Sequence, residues 1–163
     1  MSNAEMFLTV QGSRTGAILG ESDAPDHLEA IEVTGWSWGM TGSSAMGGSG
    51  ATVRTALTEL KVTKQTDRAS THLMSVMRNN EVLNEVKLFV RKAGVTPPMD
   101  QITITILKGR ITSFSIGNEA TGSANLVETL SFAFEEIEVA YASQDSSGAG
   151  SAQSMFCTQV HSS

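Results

Sequence analysis

Ile31-Glu32-Val33-Thr34-Gly35-Trp36-Ser37-Trp38-Gly39-Met40 is the stretch that decides the fold. Apolar and polar residues alternate at both of its ends, a period of two that predicts a strand with one dry face. The alternation changes parity at Gly35, where a β-bulge would place all five large apolar side chains on one face. The opposite face would carry Glu32, Thr34 and Ser37. We expect both tryptophans to pack in the core rather than to stack on a ligand.

The segment 41–51 follows this strand directly and contains four glycines and three serines. Such a composition disfavours a packed element and predicts a flexible, extended loop. Phosphate binding is the less favoured interpretation, because no helix with a lysine follows the glycines.

The remaining elements follow from periodicity and from turn residues. Strands are predicted over 6–10, 53–64, 82–92, 102–106, 111–116, 126–141 and 155–160. Parity changes predict a bulge at Thr58-Glu59. They also predict a bulge or strong bend at Glu135-Glu136, which divides 126–141 into two halves, and Lys108-Gly109 predicts a hairpin turn. Segment 11–27 is predicted to be a loop, and 143–153 a Gly/Ser linker. Long bulged strands favour a closed or nearly closed barrel.

One helix is predicted, over residues 67–80. Ser70 is its expected N-cap, and apolar residues at helical spacing form a narrow stripe on one side. Met74 and Met77 belong to this stripe, so we expect both to serve packing.

Composition limits the classes of partner. The chain has 163 residues, a net charge of −6 and no run of Lys or Arg, so nucleic acid is not an expected partner. No apolar run approaches the roughly 20 residues of a membrane span, and no basic-then-apolar leader begins the chain. We therefore expect the protein to be synthesised as a soluble cytosolic chain and not to insert into a membrane. Ser2-Asn3-Ala4 has the pattern of a cloning scar.

Motifs that carry chemistry point away from an enzyme. The three histidines are far apart in the sequence and none is at ligand spacing from a cysteine or acidic residue. No nucleophile elbow, Walker loop or dinucleotide fingerprint occurs. Glu136 and Glu138 share one face of a strand, but a solvated face explains them better than paired catalytic acids. We expect no catalytic residues, no metal and no cofactor.

Several segments occur in an order that resembles the Hcp (haemolysin-coregulated protein) family, the tube protein of bacterial type VI secretion systems. The most specific are Trp-Ser-Trp-Gly-Met at 36–40 and Arg-Lys-Ala-Gly at 91–94. The supporting segments are Met6-Phe7-Leu8, Gly20-Glu21-Ser22, the glycine-rich loop, and Thr63-Lys64 with Asp67 and Ala69-Ser70. The resemblance departs at Pro97-Pro98-Met99 and in the tail from Ser143.

The resemblance implies a mainly β protein: a β-barrel of two packed antiparallel sheets with one flanking α-helix, resembling phage tail tube proteins. This domain would span 5–142, preceded by the scar at 1–4 and followed by a linker and short strand over 143–163. The resemblance also implies hexameric rings that stack into a tube, which a contractile sheath expels under a VgrG spike. Small effector proteins would travel in the lumen, and the protein would leave the bacterial cytoplasm without a signal peptide.

Two functional surfaces are expected on this basis. The wet face of the central strand, with Glu32, Thr34 and Ser37, would contact effectors in the lumen, although an ordinary solvated serine also explains Ser37. The loop residues Met46, Gly47, Gly48, Ser49 and Gly50 would order between stacked rings. The alternatives from other classes are a monomeric β-barrel that binds a small apolar ligand, and an enzyme. The segment after Tyr141 is too short for a catalytic domain.

Overall fold

The computed structural model describes residues 5–42, 55–92, 94, 98–122, 124–144 and 150–160. The strands are β1 Met6–Gly12, β2 Gly16–Ile18, β3 Ile31–Glu32, β4 Gly35–Ser37, β5 Met40–Gly42, β6 Thr55–Leu57, β7 Leu60–Gln65, β8 Leu83–Arg91, β9 Asp100–Asn118, β10 Leu126–Ala133, β11 Glu136–Gln144 and β12 Gly150–Gln159. A 3-10 turn spans Pro25–His27, and the helix α1 spans Ser70–Arg78. The predicted mainly β fold with one helix is confirmed.

The 19-residue strand β9 joins two antiparallel layers. Its first half pairs with β8 on one side and β11 on the other, and its second half pairs with β10. The backbone bends at Lys108, where φ is 52°. The strands paired with β9 are interrupted at the same level, between β10 and β11. The predicted division of residues 126–141 into two halves is therefore confirmed.

The predicted hairpin at Lys108-Gly109 is wrong, because β9 continues through these residues. Of the two, only Lys108 has a positive φ. Gly109 is opposite Leu83, and the next residue of β9 is opposite Ala133, so neighbouring strands hold the bend on both sides. A Cβ on Gly109 would lie 3.1 Å from the Ala133 oxygen, which explains the glycine without a reverse turn.

The predicted central strand is three short strands with different partners. β3 pairs with β1, β4 pairs with β7, and β5 pairs with β6. The parity change at Gly35 thus marks a change of sheet neighbour rather than a bulge in one ladder. Ile31 and Val33 are buried and the two tryptophans are half-buried against the core, but Met40 is 50% exposed. The prediction of one shared apolar face holds for four of the five side chains.

This central segment bridges β1 and β7, each of which lies one strand in from an end of the sheet. Among the described residues, the hydrogen-bonded path runs from β2 to β4 without returning on itself. Val33 N donates to Met6 O of β1 at 3.0 Å, and Thr34 N donates to Thr63 O of β7 at 2.8 Å. Consecutive residues therefore connect β1 with β7, and the described architecture is two layers linked by chain rather than a closed barrel.

The core lies between the layers and follows the strand register. Leu8, Leu88 and Ile104 are directly opposite one another across β1, β8 and β9, and all are buried. Val10, Val86, Ile106 and Ile137 form a second buried row that continues into β11. The alternation along each strand fixes these rows, because a register slip of one residue would turn all of these side chains toward solvent.

The helix contributes Leu73 and Val76 to the core, as its apolar stripe predicts. Met77 packs partly against the core, whereas Met74 is 37% exposed, so the packing expected of Met74 is incomplete. The predicted N-cap is wrong: Ser70 is the first helical residue, and the cap position is Ala69. The Asp67 carboxylate accepts from Ala69 N at 2.9 Å and Ser70 Oγ accepts from Asp67 N at 3.0 Å, a reciprocal arrangement that resembles a capping box.

Three predicted segments, 11–27, Thr58-Glu59 and the last strand at 155–160, differ in detail. The segment 11–27 is not only loop, because Gly16 adopts a φ of 75° and lets β2 fold back on β1. At Thr58-Glu59 the chain passes from β6 to β7, which belong to different sheets, so the predicted bulge is a strand break. The last strand begins at Gly150 and pairs along β11, so the tail extends the sheet. No described helix has the length and apolar character required to cross a bilayer.

Candidate functional site

The three residues predicted to face a lumen lie near the bridge between the layers. Glu32 is half-buried opposite Phe7, whereas Thr34 and Ser37 are exposed. Thr34 Oγ1 donates to Thr63 O at 3.1 Å, which ties its side chain to β7. Ser37 is opposite Lys61 in the β4–β7 pair.

Glu32 and Thr34 line the same groove, which has a volume of about 450 Å³. The groove is acidic, since Glu5, Glu21 and Asp67 also line it. Ser37 is not part of its lining, so the structure brings two of the three predicted residues together and leaves the third farther along β4.

Thr34 also lines a second groove of about 340 Å³, which runs over the outward side of β7, β10 and the end of β9. The register places hydroxyl residues side by side there. Thr63, Thr129 and Ser115 are directly opposite one another, and the next row contains Ser37, Lys61, Ser131 and Ser113, of which Ser131 is buried. Directly opposite residues share one face of a sheet. We call Ser37, Thr63, Thr129, Ser113 and Ser115 the hydroxyl face.

Sequence reasoning identified only Ser37 of this face. The other four residues were visible as polar positions in alternating strands, but their grouping depends on pairings between distant strands. Short hydroxyl side chains can make many individually modest hydrogen bonds. Neither groove is lined by a histidine or a cysteine among the described residues.

The stacking residues Met46, Gly47, Gly48, Ser49 and Gly50 lie outside the described part of the chain. The base of their loop is described: β5 and β6 form a two-stranded ribbon with Met40 opposite Leu57 and Gly42 opposite Thr55. Thr58 Oγ1 accepts from Gly39 N at 2.9 Å and closes this ribbon. The predicted loop over 41–51 therefore begins at the second residue of β5, inside the ribbon.

A groove of about 570 Å³, lined by both apolar and polar residues, lies between this ribbon and β12. Met40, Leu57, Phe156 and Val160 are among its lining residues. β12 pairs with β11 on one side, and among the described residues no strand pairs with its other side. Met155 is 60% exposed and Phe156 is 42% exposed. Such an edge is a template for pairing with another chain.

Comparison with known proteins gives consistent matches. The model of the family described as "Type VI secretion system effector, Hcp" matches residues 7–141. The chain is 32% identical over 147 residues to "Protein hcp1" of Pseudomonas aeruginosa, covering 89% of this chain and 87% of that protein.

Solved structures agree on the fold. The chain resembles a type VI secretion system effector from Yersinia pestis with a TM-score of 0.73 at 22% identity, covering 95% and 99% of the two chains. It also resembles Hcp1 from Salmonella typhimurium with a TM-score of 0.65 at 25% identity, covering 83% of this chain and 86% of that one.

Proposed function

Because this chain belongs to the Hcp family of the type VI secretion system, we propose that it assembles into hexameric rings that stack as the tube. The observation that carries the proposal is the edge of β12, with which no described strand pairs and whose exposed Met155 and Phe156 lie beside the groove next to the β5–β6 ribbon. A second copy of this chain is the occupant we assign to this edge and groove. Contact of one edge with a different surface of the next copy is heterologous, so rotation can close a ring.

Variants of the edge test this assembly. Phe156→Arg places a charge in the proposed interface and should convert the ring to monomers in sedimentation velocity. Ile116→Arg is the matched control, because Ile116 is 47% exposed on β9 and does not line the groove. If rings persist in Phe156→Arg, the interface must lie on another surface.

The hydroxyl face is the surface we assign to the lumen, with Glu32 and Thr34 at its margin. Six copies would present a continuous polar wall, and modest contacts with an effector would be multiplied by effective concentration. The short hydroxyl side chains of this face suit many modest hydrogen bonds, which supports transport rather than catalysis. We therefore propose that the protein is not an enzyme.

Ser37→Gln tests the lumen assignment, because it adds bulk at an exposed position opposite Lys61. It should preserve the ring and its melting temperature while reducing co-purification of a small effector protein. Thr71→Gln on the exposed side of α1 is the control and should leave co-purification unchanged. Equal effector recovery with Ser37→Gln would remove β4 from the binding surface, and Thr103 and Thr105 of β9 would be examined next.

The loop carried by the β5–β6 ribbon is the segment we assign to ring stacking. Ordering it between rings would add backbone contacts at a cost of about 1 kcal/mol or more per residue fixed. Deleting Gly47–Gly50 should leave rings intact and shorten tubes in electron micrographs. Tubes of unchanged length would exclude the loop from stacking.

The remaining partners follow from the same family membership. We propose that a VgrG-type spike caps the tube and that a contractile sheath surrounds and expels it. The protein would then be made in the bacterial cytoplasm and secreted by sheath contraction without a signal peptide. Detection of the chain in culture medium should depend on the sheath gene, and secretion that is unaffected by its deletion would contradict this route.

A further inference from the structure

A histidine and two aspartates converge at one end of the first layer, away from both grooves. His27 and Asp26 belong to the 3-10 turn, and Asp100 begins β9. His27 Nε2 lies 2.8 Å from Asp100 Oδ1 and 3.6 Å from Asp26 Oδ2. One ligand atom from each of the three residues lies within 4.8 Å of the others.

The imidazole is held in a fixed orientation by its neighbours. The Phe7 ring stacks on it with centroids 4.7 Å apart, and the Phe89 ring lies 4.5 Å away on a tilted plane. Only 8% of the His27 side chain is exposed. An apolar shell of this kind restricts solvent access and directs the ring nitrogen toward the two carboxylates, as around metal-binding histidines.

Arg91 also contacts the cluster, through Asp26. Its guanidinium donates to Asp26 Oδ1 and lies 4.7 Å above the Phe7 ring. The other oxygen of Asp26, Oδ2, is the one that faces His27. The two oxygens of one carboxylate thus have separate roles, a division typical of a ligand oriented by an outer hydrogen bond.

Charge and spacing both suit a cation. The two carboxylates and one guanidinium together contribute a net charge of −1. Zinc–ligand distances of about 2.0–2.1 Å require donor atoms about 3.3 Å apart in a tetrahedral site. The two measured separations from His27 Nε2, 2.8 and 3.6 Å, lie on either side of that value.

We propose that His27, Asp26 and Asp100 bind a divalent transition-metal ion, with Zn²⁺ as the best match to one imidazole and two carboxylates. The ion replaces the hydrogen bond between His27 and Asp100, and water completes its coordination. It fastens the 3-10 turn to the start of β9 across 73 residues of sequence. Because a proton competes with the metal for the imidazole, binding weakens in acid.

The test uses the full chain without a polyhistidine tag, titrated with ZnCl₂ by calorimetry at neutral pH. His27→Gln and Asp100→Asn each remove a ligand while keeping a polar group of similar shape. His72→Gln is the matched control, since His72 is exposed on α1. Melting temperatures in EDTA identify any variant that fails to fold. If His27→Gln fails to fold, Asp100→Asn decides, because Asp100 is 28% exposed.

The proposal predicts one saturable site per chain in the wild type and in His72→Gln. Affinity should fall at least 10-fold in the two ligand variants. Wild-type melting temperature should rise by roughly 5–10 °C at 100 times the dissociation constant. Absence of saturable binding to the wild type would overturn the proposal and leave the cluster as an ion-pair clamp. Wild-type affinity in a folded His27→Gln or Asp100→Asn variant would place the metal elsewhere and also overturn it.

Discussion

Lys64 and Glu128 form an ion pair in which both side chains are 0% exposed. They are directly opposite one another on β7 and β10, on the inward face beside the start of α1. The three protons of Lys64 Nζ match three acceptors: Glu128 Oε1 at 2.9 Å, Asp67 Oδ1 at 3.0 Å and Ser70 Oγ at 3.1 Å. The lysine therefore connects the two strands to the helix, and its removal should be costly.

Lys64→Met should lower the free energy of unfolding by about 3–5 kcal/mol, because it leaves a buried carboxylate without its counter-ion. Glu128 Oε2 has no partner among the described residues, so after this change neither oxygen would have one. The corresponding drop in melting temperature is roughly 6–20 °C. Lys61→Met is the matched control, since Lys61 is exposed on the same strand, and should cost at most about 0.5 kcal/mol.

The double variant Lys64→Met with Glu128→Leu separates the charge from the packing. Removing both charges should recover at least half of the loss, because a buried ion pair contributes little more than a well-packed apolar pair. Urea denaturation followed by circular dichroism, at one chain concentration for all variants, provides the measurement. The reasoning fails if Lys64→Met is as mild as Lys61→Met, or if the double variant is no more stable than the single one.

Two further predictions concern carboxylates. Hydrogen bonds from Thr15 N and Arg14 N to the Glu81 carboxylate hold the pKa of Glu81 below its ordinary value, although burial opposes them. Glu81→Gln should lower the free energy of unfolding by about 1.5–3 kcal/mol at pH 7. In urea denaturation this difference should disappear as pH falls from about 4.3 through the lowered pKa. A difference that stays constant down to pH 2 would contradict the prediction. Partial desolvation and then the hydrogen bond to Glu136 raise the pKa of the Cys157 thiol. Alkylation of Cys157 by iodoacetamide at pH 8 should be slower than that of a free thiol and faster in Glu136→Gln, and equal rates in the two proteins would be contrary to this expectation.

Strand alternation was sufficient to predict most of the sheet, because a buried face imposes its period on the sequence wherever the strand is long. The rows through Leu8 and Val10 demonstrate this for β1, β8 and β9. Local signals failed where pairing overrode them. Lys108-Gly109 has the composition of a turn, yet hydrogen bonds to strands on both sides keep it extended with a bend.

The motif residues that support the family resemblance are explained mainly by structure. Gly20 allows a close approach, since a Cβ there would lie 2.5 Å from the Ile31 Cα. Ser22 is buried, and its Oγ accepts from Ala24 N at 3.2 Å. Lys64, Asp67 and Ser70 form the buried charge cluster. These residues support the family resemblance because they serve the fold. For the same reason, they did not by themselves locate a functional surface.

Two features could not be predicted from one sequence. The hydroxyl face depends on which strands are neighbours, and single-strand alternation says nothing about that choice. The cluster at His27 depends on Asp100, 73 residues away, so a search for ligands at short spacing was bound to miss it.

Solution mass is the measurement that tests the central claim of a ring-forming tube subunit most directly. Multi-angle light scattering of the wild-type chain at micromolar concentration should give about 103 kDa, six times the chain mass of 17.2 kDa. The same sample should show closed rings in negative-stain micrographs. A species of 17.2 kDa that persists as concentration is raised would contradict the account and would favour a monomeric ligand-binding protein instead.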